Sequence, residues 1–300
     1  MSEDALPFTG ERFTPECVRE IWYEHWHRYA FARGLSAGKR VLDAACGEGY
    51  GAALLAGVAA DVVGIDLDRA AVAHARARYA SLPRLRFERA DATELPFAAG
   101  AFDLVVSFET LEHLAAQERL LAGFARVLAD EGVLVISSPD RHVYSEVAGF
   151  RNEFHVRELY RDELLALLRP HFAAVRLYGQ KLLFHSALWS LEGGIGSAEA
   201  HTAAAGGDAV AAGLDHAPMY FVAVCARRAL PAGLPSLSLF GDREESVYAH
   251  YNHEVRKNID AGTRIAELES ELARLRAGMH GAARPPGPRR RWWQRNRNPE

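Results

Sequence analysis

Cysteine is scarce in this chain: three residues among 300, Cys17, Cys46 and Cys225, lie far apart and form no CxxC pair. That excludes a disulfide framework and a cysteine zinc site, and it fits a reducing compartment. Long apolar runs are missing too. The longest, near Ala52 to Ala60, is about half of the roughly 20 residues that a bilayer-spanning helix needs. The opening residues lack the basic-then-apolar pattern of a signal peptide, so the expected location is the cytoplasm. Net charge is small, −4, but unevenly spread: residues 281–300 hold six arginines and one glutamate, which leaves −9 on residues 1–280. An acidic body repels a long phosphate backbone, which argues against a nucleic acid gripped over many nucleotides.

The 49% apolar share is ordinary for a packed globular chain, and the length allows one large domain or two small ones. Apolar, β-rich runs recur at Arg40–Ala45, Asp61–Asp66, Leu85–Arg89, Phe102–Phe108, Val133–Ser137, Ala173–Tyr178 and Tyr220–Ala226. Ala/Leu/Arg-rich windows at Tyr50–Ala59, Asp68–Ala80 and Gln117–Leu128 have helix-forming composition and apolar spacing near 3–4 residues. Strand alternating with helix predicts an α/β fold with a mostly parallel sheet.

Residues 1–37 read as a helical cover, with Trp22, Tyr23, Trp26, Tyr29 and Phe31 packing on the sheet. The main domain runs over 38–230, with a flexible Gly/Ala-rich loop at 193–213. From 231 to 280 a linker leads into a helix on which Ile265, Leu268, Leu272 and Leu275 have coiled-coil spacing, as a dimerising or partner-docking element would. The basic tail 281–300, with Trp292 and Trp293, reads as disordered or as a weak contact to an anionic surface.

The first strand ends in VLDAACGEGYG, Val41 to Gly51. Glycines at 47 and 49 let the backbone turn sharply and approach a ligand. Gly47-x-Gly49-x-x-Ala52 also meets the dinucleotide fingerprint, so the glycines alone do not choose between nicotinamide and other adenosine ligands. The carboxylates do choose. Asp43 at the first strand end suits a cationic ligand rather than a pyrophosphate. Asp66, nineteen residues after Gly47, stands where a carboxylate accepts from both ribose hydroxyls. Asp91, after the third strand, is placed to accept from an adenine amino group. Hydride transfer is disfavoured accordingly.

VLDAACGEG, VVGIDLD, ADATELPF, FDLVVSFETLEHL and LADEGVLVISSP, in this order, resemble class I S-adenosylmethionine-dependent methyltransferases over about residues 38–180. The resemblance implies a Rossmann-like seven-stranded sheet of order 3-2-1-4-5-7-6 with helices on both faces. It places the methionine moiety near Asp43, Ala45, Gly47 and Gly49, ribose on Asp66, and adenine against Leu67, Asp91 and Ala92, with Phe108 also at the cofactor. Ala45 replaces the glycine common at that position.

The acceptor's chemistry rests on FETLEHL. Helical spacing puts Glu109, Glu112 and His113 on one face. Two carboxylates and an imidazole within one turn repel or compete for protons unless a cation or substrate sits among them, and a divalent metal is one solution. The E-x-x-E-H pattern resembles that of small-RNA ribose methyltransferases and some quinone-biosynthesis methyltransferases, which implies metal ligation by Glu109, Glu112 and His113, with His155 as a further ligand. Mg²⁺, Mn²⁺, Fe²⁺, Co²⁺ or Zn²⁺ suits such a set. Without a metal, His113 or His155 is the candidate general base. Arg157 and Glu158 read as ordinary surface contacts.

FTGERFTP, YEHWHRYAFA and NEFHVRELYRDEL together resemble bacterial methyltransferases of glycan and O-antigen assembly. This implies a sugar hydroxyl as acceptor, a link to polysaccharide biosynthesis, and Tyr23, His27 and Arg28 as a lid over the methionine end of the cofactor. The competing readings are a phenol, quinone or secondary-metabolite methyltransferase, and a non-catalytic scaffold that recruits glycosyltransferases.

Overall fold

The computed structural model describes residues 20–188, 190–191, 198–204 and 209–282. The basic tail beyond 282, the FTGERFTP segment and parts of the 193–213 loop lie outside them. The chain forms two units, residues 1–242 and 243–300.

In the first unit, helix α1 (Glu20–Leu35) precedes β1 (Arg40–Ala44), α2 (Tyr50–Ala56), β2 (Asp61–Asp66), α3 (Arg69–Arg78) and β3 (Leu85–Arg89). Strand β4 (Phe102–Ser107), α4 (Gln117–Val127), β5 (Leu128–Pro139), α5 (Arg161–Leu168) and β6 (Ala174–Gln180) follow. Two short strands, β7 (His201–Ala203) and β8 (Val210–Ala212), come before β9 (Tyr220–Ala226). The sheet order is β3-β2-β1-β4-β5-β9-β6, the expected 3-2-1-4-5-7-6 once β7 and β8 are set aside. Pairing is parallel from β3 through β5, and β9 runs antiparallel to both β5 and β6.

Strands buried on both faces explain the near-continuous apolar runs. One layer packs α1, α2 and α3 against Val41, Val62, Leu104 and Val106; the other packs α4 and α5 against Leu42, Val63, Val105 and Leu134. Between β1 and β4 the chain order reverses, and the loops after these strands diverge to open a crevice. Backbone pairing at the turn needs glycine here. Gly49 has φ +88°, and a Cβ there would fall 2.5 Å from the Phe87 ring.

Two expectations are corrected. Within 193–213 the described residues pair as the antiparallel β7–β8 ribbon, Thr202 Oγ1 donating to Gly213 O at 2.8 Å and accepting from Asp215 N at 3.1 Å. Residues 231–242 are no free linker: Leu234 O accepts from Arg176, Pro235 O accepts from Tyr178, and Phe240 packs on Trp22, Tyr23 and His27 of α1. The second unit contains α6, a 37-residue helix from Ser246 to Ala282.

Candidate active site

The glycine loop is held by the tip of β2. Gly47 N donates to Asp66 Oδ2 and Asp68 N to Asp66 Oδ1, both at 2.9 Å. Leu67 beside Asp66 is 61% exposed, an apolar platform at the strand tip. Asp91 accepts from Thr93 N and Thr93 Oγ1, each at 2.8 Å, which shapes the turn carrying half-buried Ala92. Ala45 takes φ +63°, a left-handed conformation that costs an alanine about 1–2 kcal/mol and a glycine almost nothing.

Asp43 stands at the tip of β1. It is fully buried, and the Tyr29 hydroxyl bridges its two oxygens at 3.1 and 3.2 Å. The residue of α1 that reaches the first strand is Tyr29, whose ring also meets Phe108 edge-on at 4.9 Å. Tyr23 instead donates to Asp242 and packs on Phe240. Burial pushes the Asp43 carboxyl up to about 7. The folded protein then keeps a proton that the unfolded chain loses near pH 4, so this group's contribution to stability falls as pH rises from about 4 to about 7 and is flat above. Asp43→Asn is expected to remove that slope: the melting temperature of the variant, relative to the parent, should climb between pH 5 and pH 8. A pH-independent difference would refute it.

After β4 the chain departs from the expected helix. Glu109 has φ +48° and precedes a single 3₁₀ turn, Leu111–His113, so Glu109, Glu112 and His113 do not share a helical face. Ser137 fixes this bend, since its hydroxyl accepts from Glu109 N at 2.9 Å and donates to Glu109 Oε1 at 2.6 Å. Glu109 Oε1 also lies 3.4 Å from Nη1 of Arg28. Arg28 is itself buried, with its guanidinium 4.5 Å from the Tyr220 ring centroid and Nε donating to Gln180 at 2.7 Å, while Nη1 and Nη2 lack hydrogen-bond partners.

Glu112, His113 and His155 do converge: one ligand atom from each lies within 4.8 Å of the others. The segment after β5 is stapled onto the 3₁₀ turn to achieve this. Val156 N and Arg157 N both donate to Glu112 O, at 2.8 and 3.0 Å, and buried Gln117 donates through Nε2 to Leu111 O and Arg157 O, both at 2.9 Å. His113 Nδ1 donates to Phe154 O at 3.1 Å and His155 Nδ1 to Glu158 Oε1 at 2.6 Å. With Nδ1 on an outer acceptor, Nε2 is the nitrogen of each ring that a metal would use, as in ligating histidines; His113 Nε2 lies 3.9 Å from Glu112 Oε1. Glu158, read from sequence as a surface residue, is that acceptor for His155, and Tyr144 stacks on the same ring at 5.6 Å.

Glu112 is 0% exposed, and among the described residues neither carboxylate oxygen has a hydrogen-bond partner. Burial, with Glu109 adding repulsion, holds its carboxyl well above the ordinary carboxylate range. An orphaned, desolvated carboxylate beside two imidazole lone pairs fits a divalent cation by donor chemistry. Glu109 does not join this group, because its left-handed backbone turns it to Arg28 and Ser137.

A cleft of about 640 Å³ adjoins this region, lined by Tyr23, His27, Arg28, Gln180, Lys181 and Phe240 among others. Asp140 at the end of β5 also faces it.

Residues 42–136 match the methyltransferase domain family. Two mycobacterial proteins named "Probable S-adenosylmethionine-dependent methyltransferase" are similar to it. That of Mycolicibacterium smegmatis is 42% identical over 167 residues, 55% of this chain and 64% of the relative. That of Mycobacterium tuberculosis is 41% identical over 188 residues, 61% of this chain and 66% of the relative. A phthiotriol/phenolphthiotriol dimycocerosates methyltransferase of Mycobacterium ulcerans is 40% identical over 146 residues, 47% of this chain and 52% of the relative. The chain thus spans a little under two thirds of the first two relatives and about half of the third. The matched segment runs from within β1 through most of β5, and so contains Asp66, Asp91, Glu112 and His113 but not His155. No described helix is long and apolar enough to cross a membrane.

Proposed function

We propose that the protein is an S-adenosylmethionine-dependent O-methyltransferase acting on a hydroxyl of a sugar or glycan, with a divalent metal held by Glu112, His113 and His155. The observation that carries the metal and the oxygen acceptor is the orphaned Glu112 carboxylate between two imidazoles whose Nδ1 atoms are occupied. The domain match and the mycobacterial relatives support the cofactor.

S-adenosylmethionine supplies a methyl group on a sulfonium, and displacement there asks the protein chiefly to align the acceptor and exclude water. Asp66 is placed to hold the ribose hydroxyls, while Leu67 and Ala92 flank the base. Arg28 has two buried nitrogens without hydrogen-bond partners, suited to the carboxylate at the methionine end. Glu112, His113 and His155 would hold the divalent ion, which would supply Lewis acidity toward the acceptor hydroxyl. Glu158 and Phe154 O orient the imidazoles, and Glu112 balances the charge. The rest of the acceptor is assigned to the cleft, where Tyr23, His27 and Phe240 offer ring faces and Lys181 a charge.

A second reading, an apolar acceptor such as a phenol or lipid, is favoured by Leu182, Leu183, Leu214 and Leu239 in the same cleft and by the name of the Mycobacterium ulcerans relative. Methyl-labelled S-adenosylmethionine offered with free sugars, nucleotide-linked sugars, glycan fractions, phenols and quinones decides between them. Label is expected in a sugar-bearing product, lost in EDTA and restored by Mg²⁺, Mn²⁺, Fe²⁺, Co²⁺ or Zn²⁺. Label confined to phenols or lipids would overturn the sugar assignment, and full transfer in chelator would leave His113 or His155 as a general base alone.

A further inference from the structure

Helix α6 carries an apolar seam that is exposed among the described residues. Ile265, Leu268, Leu272 and Leu275 are 46–62% exposed, and every residue from 256 to 277 is exposed. In heptad notation Asn258, Ile265 and Leu272 take the a positions and Ala261, Leu268 and Leu275 the d positions. The seam thus extends a turn and a half before the leucine-rich part. A lone helix of this kind leaves its stripe in water, which is unfavourable by roughly 25 cal/mol per Å² of apolar surface.

We propose that α6 pairs with α6 of a second copy of this chain as a parallel, in-register, two-stranded coiled coil. The flanking charges identify the occupant. Arg264 and Glu271 occupy g positions, and Glu269 and Arg276 the e positions five residues further on. In a parallel in-register pair each g residue meets the partner's e residue five positions later, so Arg264 meets Glu269 and Glu271 meets Arg276, on both sides. Both pairings join opposite charges. Arg264 at present contacts Glu267 of its own helix at 2.9 Å with both side chains largely exposed, a weak contact that is readily exchanged. Isoleucine at an a position with leucine at d favours two strands, and asparagine at a single a position fixes register and parallel orientation, because it meets its own copy. In an antiparallel pair Asn258 would face an apolar residue instead.

Light scattering on the full chain after size exclusion should give twice the 33.0 kDa chain mass. The double variant Leu268→Glu, Leu272→Glu should elute as a monomer, with methyl transfer to a small acceptor unchanged. Glu269→Arg turns the Arg264 contact into repulsion on both sides and should raise the dissociation constant about tenfold; adding Arg264→Glu should restore it. Ala261→Cys, in a Cys17→Ser background since Cys46 and Cys225 are buried, should yield a disulfide-linked dimer on mild oxidation. A monomeric parent or a trimeric mass would overturn the proposal. So would a dimer that survives the double glutamate variant, or absence of the 261–261 crosslink in a dimer.

Discussion

Glutamine at position 112 is expected to cut methyl transfer by about a thousandfold and to leave S-adenosylmethionine affinity within about threefold of the parent. The amide keeps the shape of the carboxylate but not its charge. Both oxygens of Glu112 are buried without a hydrogen-bond partner among the described residues, and the ion-pair partner it has there, His113 Nε2, lies 3.9 Å away, so loss of the charge should leave the fold about as stable, because a poorly paired buried charge is costly. In the proposed reading the charge serves a cation, and transition-state stabilisation by such an ion is worth several kcal/mol, or about three orders of magnitude. Divalent-ion content of the purified protein, and calorimetric titration with Mn²⁺, read the same loss without reference to activity. Glu158→Gln should have a milder effect, about 10–100-fold in metal affinity, since it orients His155 from outside. Unchanged transfer by Glu112→Gln would remove the metal from the mechanism.

The strand tips and glycine turn of the candidate cofactor crevice were legible in the sequence because their signals are local. A β-rich run ending in Asp43-Ala-Ala-Cys-Gly47 and a second ending in Asp66 each declare strand, tip and turn within a few residues, and alternation with helical windows orders the sheet. The convergence of Glu112, His113 and His155 was half legible. Glu112 and His113 are adjacent, but helical periodicity was extended over a stretch that closes only one 3₁₀ turn. The bend at Glu109 is held by Ser137, 28 residues away, and nothing within FETLEHL reports it. His155 joins through Gln117 and Arg157, a contact 40 residues apart in sequence that makes Glu158 an interior partner rather than a surface charge.

The burial of Arg28 and the polar contact of Tyr29 were not legible for a related reason. A charged residue on a helix is ordinarily solvated, and only the arrival of Gln180 and Tyr220 from the far edge of the sheet makes burial of Arg28 tolerable. Tyr29 looks like any aromatic on an apolar face until β1 sets Asp43 beneath its hydroxyl. Such sites concentrate backbone strain as well: Ala45 and Glu109, both at positive φ, stand at the ends of β1 and β4, on either side of the crevice. Strained non-glycine residues persist where the surroundings over-determine them, which is the usual condition of a ligand-binding turn.

Alanine at position 66 is expected to weaken cofactor binding by at least about a hundredfold. Two charge-assisted hydrogen bonds to a ribose are worth about 2–4 kcal/mol together, and the same carboxylate also holds Gly47 N and Asp68 N, so the variant loses both the ligand contact and the clamp on the loop. Asparagine retains one acceptor oxygen and should lose only about tenfold. S-adenosylhomocysteine shares the ribose but lacks the methyl group, so calorimetry with it should show the same losses, whereas Glu112→Gln, remote from the ribose, should show none. This contrast separates cofactor binding from acceptor chemistry within one crevice. Ordinary affinity for Asp66→Ala, in a protein whose melting temperature is unchanged, would detach the ribose from β2.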